Sequence, residues 1–197
     1  MKSYAWLLAV VMAVSAAWAK KSPEKQVRNP ETKAAATAPE SWKDLGGSRT
    51  VVYKKVGDVE LKLHICTPVG HKAGDQRPAI VFFFGGGWLG GSPGQFMPQC
   101  RYLASRGMVA ISADYRVYNT HKAMVDDCTA DAESAIRWVR AHAKELGIDP
   151  ARIVASGGSA GGHLAAATGT LRDFTDDKDK SISFRPNAMI LFNPAVD

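Results

Sequence analysis

This sequence predicts an α/β fold, a mostly parallel sheet with an antiparallel hairpin at its N-terminal edge, and three observations predict it. Short apolar runs suited to strands alternate with helical patterns from about residue 79 onward, an order that forces crossover connections and parallel pairing. Two strand-like runs, Val51–Val56 and Val59–Thr67, come first with only Gly57-Asp58 between them, a gap of hairpin size. The chain has 197 residues, 46% hydrophobic and 22% charged, enough for one domain with a sizeable core and too apolar for a disordered chain.

The chain opens on Lys2 and an almost unbroken apolar run from Ala5 to Ala17. Ala17-Trp18-Ala19 then sets small residues around a larger one, and Lys20-Lys21 follow. That is the layout of a secretory signal, residues 1–19, cleaved after Ala19, so the product is expected to be secreted or periplasmic. The run falls short of the roughly 20 apolar residues a spanning helix needs, so no stable membrane insertion is expected after cleavage. Residues 20–50, rich in Pro, Ala, Lys and Glu without apolar periodicity, read as a flexible leader. Residues 51–197 read as the folded domain.

Within that domain Val59, Leu61, Leu63 and Ile65 alternate with polar neighbours, as in a strand with one buried face. Ala79–Phe84 is a continuous apolar run, fit for a strand covered on both faces. A glycine-rich loop leads to a helix around Gln95–Ser105, closed by Gly107, and Met108–Ala113 is a second buried strand. Asp126 to Leu146 carries Ala132, Ala135, Ile136, Val139, Ala143 and Leu146 at helical spacing. Asp126 and Asp127 suit the positive end of its dipole, and Gly147 closes it. Ile153–Ala155 is a short strand, Ala160–Thr168 a helix of small residues, and Ala188–Phe192 a last strand.

The formal net charge of +6 is spread along the chain, with only Lys20-Lys21 and Lys54-Lys55 adjacent, so no nucleic-acid surface is expected. Of the three cysteines, Cys100 and Cys128 fall near the starts of two consecutive helices and are a possible disulfide; three buried thiols are the equal alternative. No cysteine or histidine cluster has metal spacing, so neither metal nor cofactor is expected. Asp173, Asp176, Asp177 and Asp179 crowd one loop without the offsets of a calcium loop and read as a solvated segment.

Two glycine motifs carry the chemistry. Gly85-Gly86-Gly87-Trp88-Leu89-Gly90 fits G-x-G-x-x-G after a strand, and Asp114 ends the next strand, as in a dinucleotide-binding fold. Against that reading, Trp88 is bulky for a phosphate loop and Pro93 delays the helix. Gly157-Gly158-Ser159-Ala160-Gly161 fits G-x-S-x-G between a strand and a helix, the turn that exposes a nucleophilic serine. Acyl transfer also needs backbone N–H donors at the developing oxyanion: Ala160 after the nucleophile, and the glycines after the earlier strand. One reaction uses both motifs, whereas dinucleotide binding leaves the serine turn idle.

With Phe84-Gly85-Gly86-Gly87-Trp88, Asp114-Tyr115-Arg116 and Gly157-Gly158-Ser159-Ala160-Gly161-Gly162-His163 in hand, the chain from about Val51 to Asp197 resembles the α/β-hydrolase superfamily. Within it, the likeness is to the acetyl-esterase and hormone-sensitive-lipase-like carboxylesterases. The resemblance implies a serine carboxylesterase: Ser159 attacks the ester carbonyl and forms an acyl-enzyme, with Gly86, Gly87 and Ala160 donating to the oxyanion. It also implies a small-molecule or carbohydrate ester substrate, of small acyl (acetyl) type. Trp88 is a candidate wall of the substrate pocket or a core aromatic. Asp114 and Arg116 are expected to pair and fix nearby loops. A prolyl-oligopeptidase-type serine peptidase and a catalytically dead binding module are the other readings.

Two departures accompany the resemblance. Phe84 stands where the family has a histidine that helps hold the oxyanion loop. The family order is serine, then acid, then histidine, yet no histidine follows His163, itself one helical turn beyond Ser159. His64, His71, His121 and His142 precede the nucleophile and read as surface or structural. The expectation is therefore an α/β-hydrolase domain truncated after about the sixth strand, with the triad acid and histidine beyond the chain end and little activity alone.

Overall fold

The computed structural model describes residues 48–196 apart from 176, 178 and 179. The expected signal and almost all of the expected leader lie outside the described residues; Ser48, Arg49 and Thr50 are already strand. β1 (Ser48–Val56) and β2 (Val59–Cys66) form the hairpin, with Val56 opposite Val59 across Gly57-Asp58. They join β3 (Arg77–Phe83), β4 (Val109–Ala113), β5 (Ile148–Ser159) and β6 (Ala188–Pro194). Among the described residues these six strands form one sheet in the order β1-β2-β4-β3-β5-β6. The hairpin is antiparallel to β4, while β4, β3, β5 and β6 run parallel. These directions match the mostly parallel sheet with an antiparallel N-terminal hairpin expected from the sequence.

Side-chain alternation along the central strands divides the core in two. Val81, Phe83, Ile111 and Ala113 face α3 (Val125–Ala141) and α4 (Ala160–Thr170), packing with Ile136, Val139 and Leu164. Ile80, Phe82 and Ala110 face the other way, onto Met97, Cys100 and Ala104 of α1 (Met97–Ser105). That division removes the disulfide considered for Cys100 and Cys128. Cys100 lies on the α1 face with Cys66, Cys128 lies on the α3 face, and the sheet stands between them. All three cysteines are free and buried, and burial holds each thiol above its ordinary pKa.

Three of the differences from the sequence reading have a clear local reason. The long helix ends at Ala141, yet Ala143 and Leu146 still reach the core through a turn in which Leu146 N–H bonds the His142 oxygen at 2.9 Å. β5 begins at Ile148 because Arg77 pairs there before residues 149–152 loop out and Ile153 resumes opposite Ala79. The loop after β4 contains a single helical turn, α2 (Tyr118–His121), too short to give a periodic signal.

Charges fasten the α3 face. Asp131, fully buried, takes a two-toothed bond from Arg116 (2.7 and 3.0 Å) and an ion pair from Lys54 at 3.0 Å. The segment expected to be a solvated acidic loop is tied down instead. Arg137 of α3 pairs with Asp173 and Asp177 and donates to the Ile182 oxygen and Thr175 Oγ1. Glu133 accepts the Phe174 N–H at 2.7 Å. Asp176 and Asp179 lie outside the described residues. β6, at the end of the sheet, leaves Met189, Ile190, Leu191 and Phe192 between 37% and 49% exposed.

Candidate active site

β5 turns into α4 at Ser159, whose φ of 52° and ψ of −120° lie where a residue with a side chain is strained. The turn closes because α4 sits directly on the end of β3. A Cβ on Gly161 would overlap the Phe83 carbonyl oxygen and come within 2.5 Å of the Phe84 oxygen, and one on Gly157 would meet the Phe83 oxygen at 2.6 Å. Ser159 is consequently exposed at the C-terminal edge of the parallel strands, while Ala160 behind it is fully buried. The first amides of α4 and the positive end of its dipole lie at the same point.

The second glycine motif comes to the same place. A Cβ on Gly85 would stand 3.5 Å from Ser159 Cβ. The loop from Phe84 to Gly91 is held along its length. Tyr115 OH donates to the Phe84 oxygen at 2.7 Å, and Gly85 N–H donates to Gln95 Oε1 at 2.6 Å. Leu89 and Gly90 N–H groups close a turn on the Gly86 oxygen at 3.1 and 3.3 Å, which sets Gly86 at a φ of 147°. Tyr118 and Asn119 N–H groups bond the Trp88 and Leu89 oxygens at 2.9 and 3.0 Å. None of these bonds uses the N–H of Gly86 or Gly87.

A cleft of about 390 Å³ opens over Ser159, lined by Gly85 and Gly86, by Gln95 and Phe96, by Gly158 and Ser159, and by Phe192 and Asn193. Phe96 stacks on Phe82 with centroids 4.9 Å apart and lies 6.2 Å from Phe192, giving the cleft an aromatic wall. Asn193 bulges from the ladder between Phe192 and Pro194 with a φ of 45°. Sequence reasoning missed Gln95, Phe96, Phe192 and Asn193. An Asn-Pro pair ending a strand is a turn signal that marks Asn193; Gln95 had no such mark.

The structure brings Ser159 and Gly86 to the cleft, with Gly87 and Ala160 next to them in the chain. Trp88 goes elsewhere: its ring packs on the core and meets His163 edge-on at 5.3 Å, away from the cleft lining. Asp114 and Arg116 do not pair with each other. Arg116 turns to Asp131 and Asp127, because the buried Asp131 offers a full carboxylate on α3. Asp114 accepts Lys62 N–H at 3.0 Å, lies 3.9 Å from His64, and is pushed up to about 6 by burial.

None of the five histidines lines the cleft. His64 meets Thr50 at 3.3 Å, His71 the Leu146 oxygen at 2.8 Å, and His121 accepts the Val117 N–H at 3.0 Å. His142 stacks on Trp138, centroids 3.9 Å apart. His163 leans on Trp88, and burial lowers its pKa.

Comparison with known proteins points to esterases. The BD-FAE family model matches residues 63–197. The chain is 36% identical over 126 residues to the carboxylesterase NlhH of Mycobacterium tuberculosis, covering 62% of this chain and 37% of that protein. It is 36% identical over 130 residues to an arylesterase of Saccharolobus solfataricus, covering 66% of this chain and 41% of that one. Among solved structures, Thermogutta terrifontis esterase 2 with propionate bound shares 60% identity at a TM-score of 0.75, over 77% of this chain and 56% of the other. The same esterase phosphorylated by paraoxon gives 60% identity and a TM-score of 0.75, over 76% and 58%. The chain thus spans well under two thirds of the length of each of these proteins.

Proposed function

Because the chain belongs to the BD-FAE family, we propose that it carries the nucleophile and the oxyanion donors of a serine hydrolase acting on carboxylic esters. The observation that carries this reading is the strained Ser159 at the base of the cleft, beside an anchored glycine loop whose Gly86 and Gly87 amides bond none of the described residues. Ser159 Oγ attacks the ester carbonyl, and the N–H groups of Gly86, Gly87 and Ala160 stabilise the negative oxygen that forms. The alcohol leaves, and water hydrolyses the acyl-enzyme. The proton of Ser159 Oγ passes through a general base to the departing alkoxide, and none of the five histidines lines the cleft among the described residues.

The substrate is a small acyl ester, acetyl to butyryl, on a small alcohol or a carbohydrate. Support comes from the propionate- and butyrate-bound states of the 60%-identical esterase. Its work is done outside the cytoplasm, a reading that the N-terminal signal pattern supports. The experiment is fluorophosphonate labelling followed by peptide mapping, together with turnover of p-nitrophenyl acetate, butyrate and octanoate, on protein made from its own gene. Expected are a single adduct on Ser159, turnover that falls from acetate to octanoate, and loss of both signals in Ser159→Ala. Labelling or turnover that survives Ser159→Ala refutes the nucleophile, and fastest turnover of octanoate refutes the short-acyl preference.

A further inference from the structure

The oxyanion loop is held by its own turn and by bonds from Tyr115, Tyr118 and Asn119, and one further side chain reaches its first amide. The Phe84 side chain contributes stacking, its ring 4.1 Å from that of Tyr115, while its backbone oxygen accepts from Tyr115 OH. The first amide of the loop, Gly85 N–H, donates instead to Gln95 Oε1 at 2.6 Å. Gln95 is exposed at the cleft, yet the turn that carries it, Pro93–Phe96, is fixed at both ends. The Pro93 oxygen accepts from the buried Ser112 Oγ of β4 at 2.8 Å, and Phe96 stacks on Phe82 of β3. Gln95 N–H bonds the Ser92 oxygen at 3.2 Å. The acceptor is thus mounted on β4 and β3, and β3 is a direct neighbour of the strand that ends in the nucleophile.

We infer that Gln95 is a positioning residue for ester hydrolysis: its amide oxygen holds Gly85 so that the following Gly86 and Gly87 N–H groups face the oxyanion. The inference rests on the esterase reading above. Donors to a developing charge work when they need no reorganisation, and an error of about 1 Å in placement is costly. A neutral amide suits the place, because it accepts the Gly85 N–H without setting a full negative charge beside an oxygen that is itself becoming negative.

Two variants separate this role from space filling. Gln95→Met keeps the length and removes the acceptor; Gln95→Glu keeps the acceptor and makes it ionisable. Hydrogen exchange at the Gly85 amide and the kinetics of p-nitrophenyl acetate hydrolysis are read on protein made from its own gene. For Gln95→Met the expected result is faster Gly85 exchange and a kcat about tenfold lower with KM within about twofold, smaller than the loss of an oxyanion donor itself. Gln95→Glu is expected to keep Gly85 protected, to turn over well while its carboxyl is protonated, and to lose kcat as pH rises, a limb that wild type lacks. Wild-type kcat in Gln95→Met, or a Gln95→Glu profile parallel to wild type, overturns the inference. A wild-type protein with no Ser159-dependent turnover overturns the esterase reading and the positioning role with it, while Gly85 exchange still reports whether Gln95 holds the amide.

Discussion

Substituting Gly161 by alanine sets two opposed effects against each other. Gly161 lies in the first turn of α4, where alanine is the better helix former by about 1 kcal/mol. The new Cβ, however, overlaps the Phe83 oxygen and comes within 2.5 Å of the Phe84 oxygen, both backbone atoms of the central strand and its exit. No rotamer change relieves that contact, so α4 must lift from β3 or the strand must bend. Overpacking of this kind costs about 1–3 kcal/mol even where side chains yield, and more against backbone. The overlap wins, and a net loss of about 2 kcal/mol lowers Tm by roughly 4–8 °C in a domain of this size. Gly169→Ala is the control within the same helix. Its Cβ meets Met189 Sδ at 2.5 Å and Cε at 2.9 Å, but Met189 is 40% exposed and swings aside. That variant should stay within about 0.5 kcal/mol of wild type. Thermal melts followed by circular dichroism decide the matter: Gly161→Ala melting within a degree of wild type would falsify the packing argument, and so would an equal loss in Gly169→Ala.

The remaining predictions concern titrating groups. Native protein should show no reaction with a thiol reagent, and urea should release all three thiols, because Cys66, Cys100 and Cys128 are buried and free; a single thiol after unfolding would mean that two of the three are bridged. Burial, with Asp173 nearby, pushes Glu133 from its ordinary 4.5 up to about 7. The folded state is then the more protonated one between those values, so this contribution is complete below 4.5 and is lost as pH rises to about 7. Asp114 acts in the same sense, but its loss is finished by about 6. Glu133→Gln keeps an acceptor for the Phe174 N–H, and in urea titrations it should remove a decline in stability between pH 6 and 7 that wild type retains; equal slopes for the two proteins in that interval would sink the assignment.

What could be read from the sequence was local. The apolar run of β3, the helical spacing of α3, the hairpin around Gly57-Asp58 and the serine turn each announce themselves within a dozen residues, because burial on one or two faces imposes a short period. The pairing of the two glycine motifs was also legible, since one reaction needs both. Partners across the fold were not. Arg116 was expected to meet Asp114 two residues away, but helix α3 delivers Asp131 into its reach, and only the buried face of that helix decides the choice. Cys100 and Cys128 head consecutive helices, yet the crossover rule sends those helices to opposite faces of the sheet. Gln95 lies ten residues beyond Gly85 in the turn that precedes α1, so its contact depends on how Pro93 and Phe96 anchor that turn.

The backbone at Ser159 has one further consequence. A φ of 52° is one that glycine adopts freely and serine resists. At this one position, then, the residue that would best satisfy the folded chain and the residue that performs the proposed chemistry are different amino acids. Selection for thermal robustness alone would drift toward glycine and silence the cleft; selection for turnover must tolerate the tension. Efforts to harden this protein should therefore leave the elbow untouched and look to the rest of the sheet for their gains.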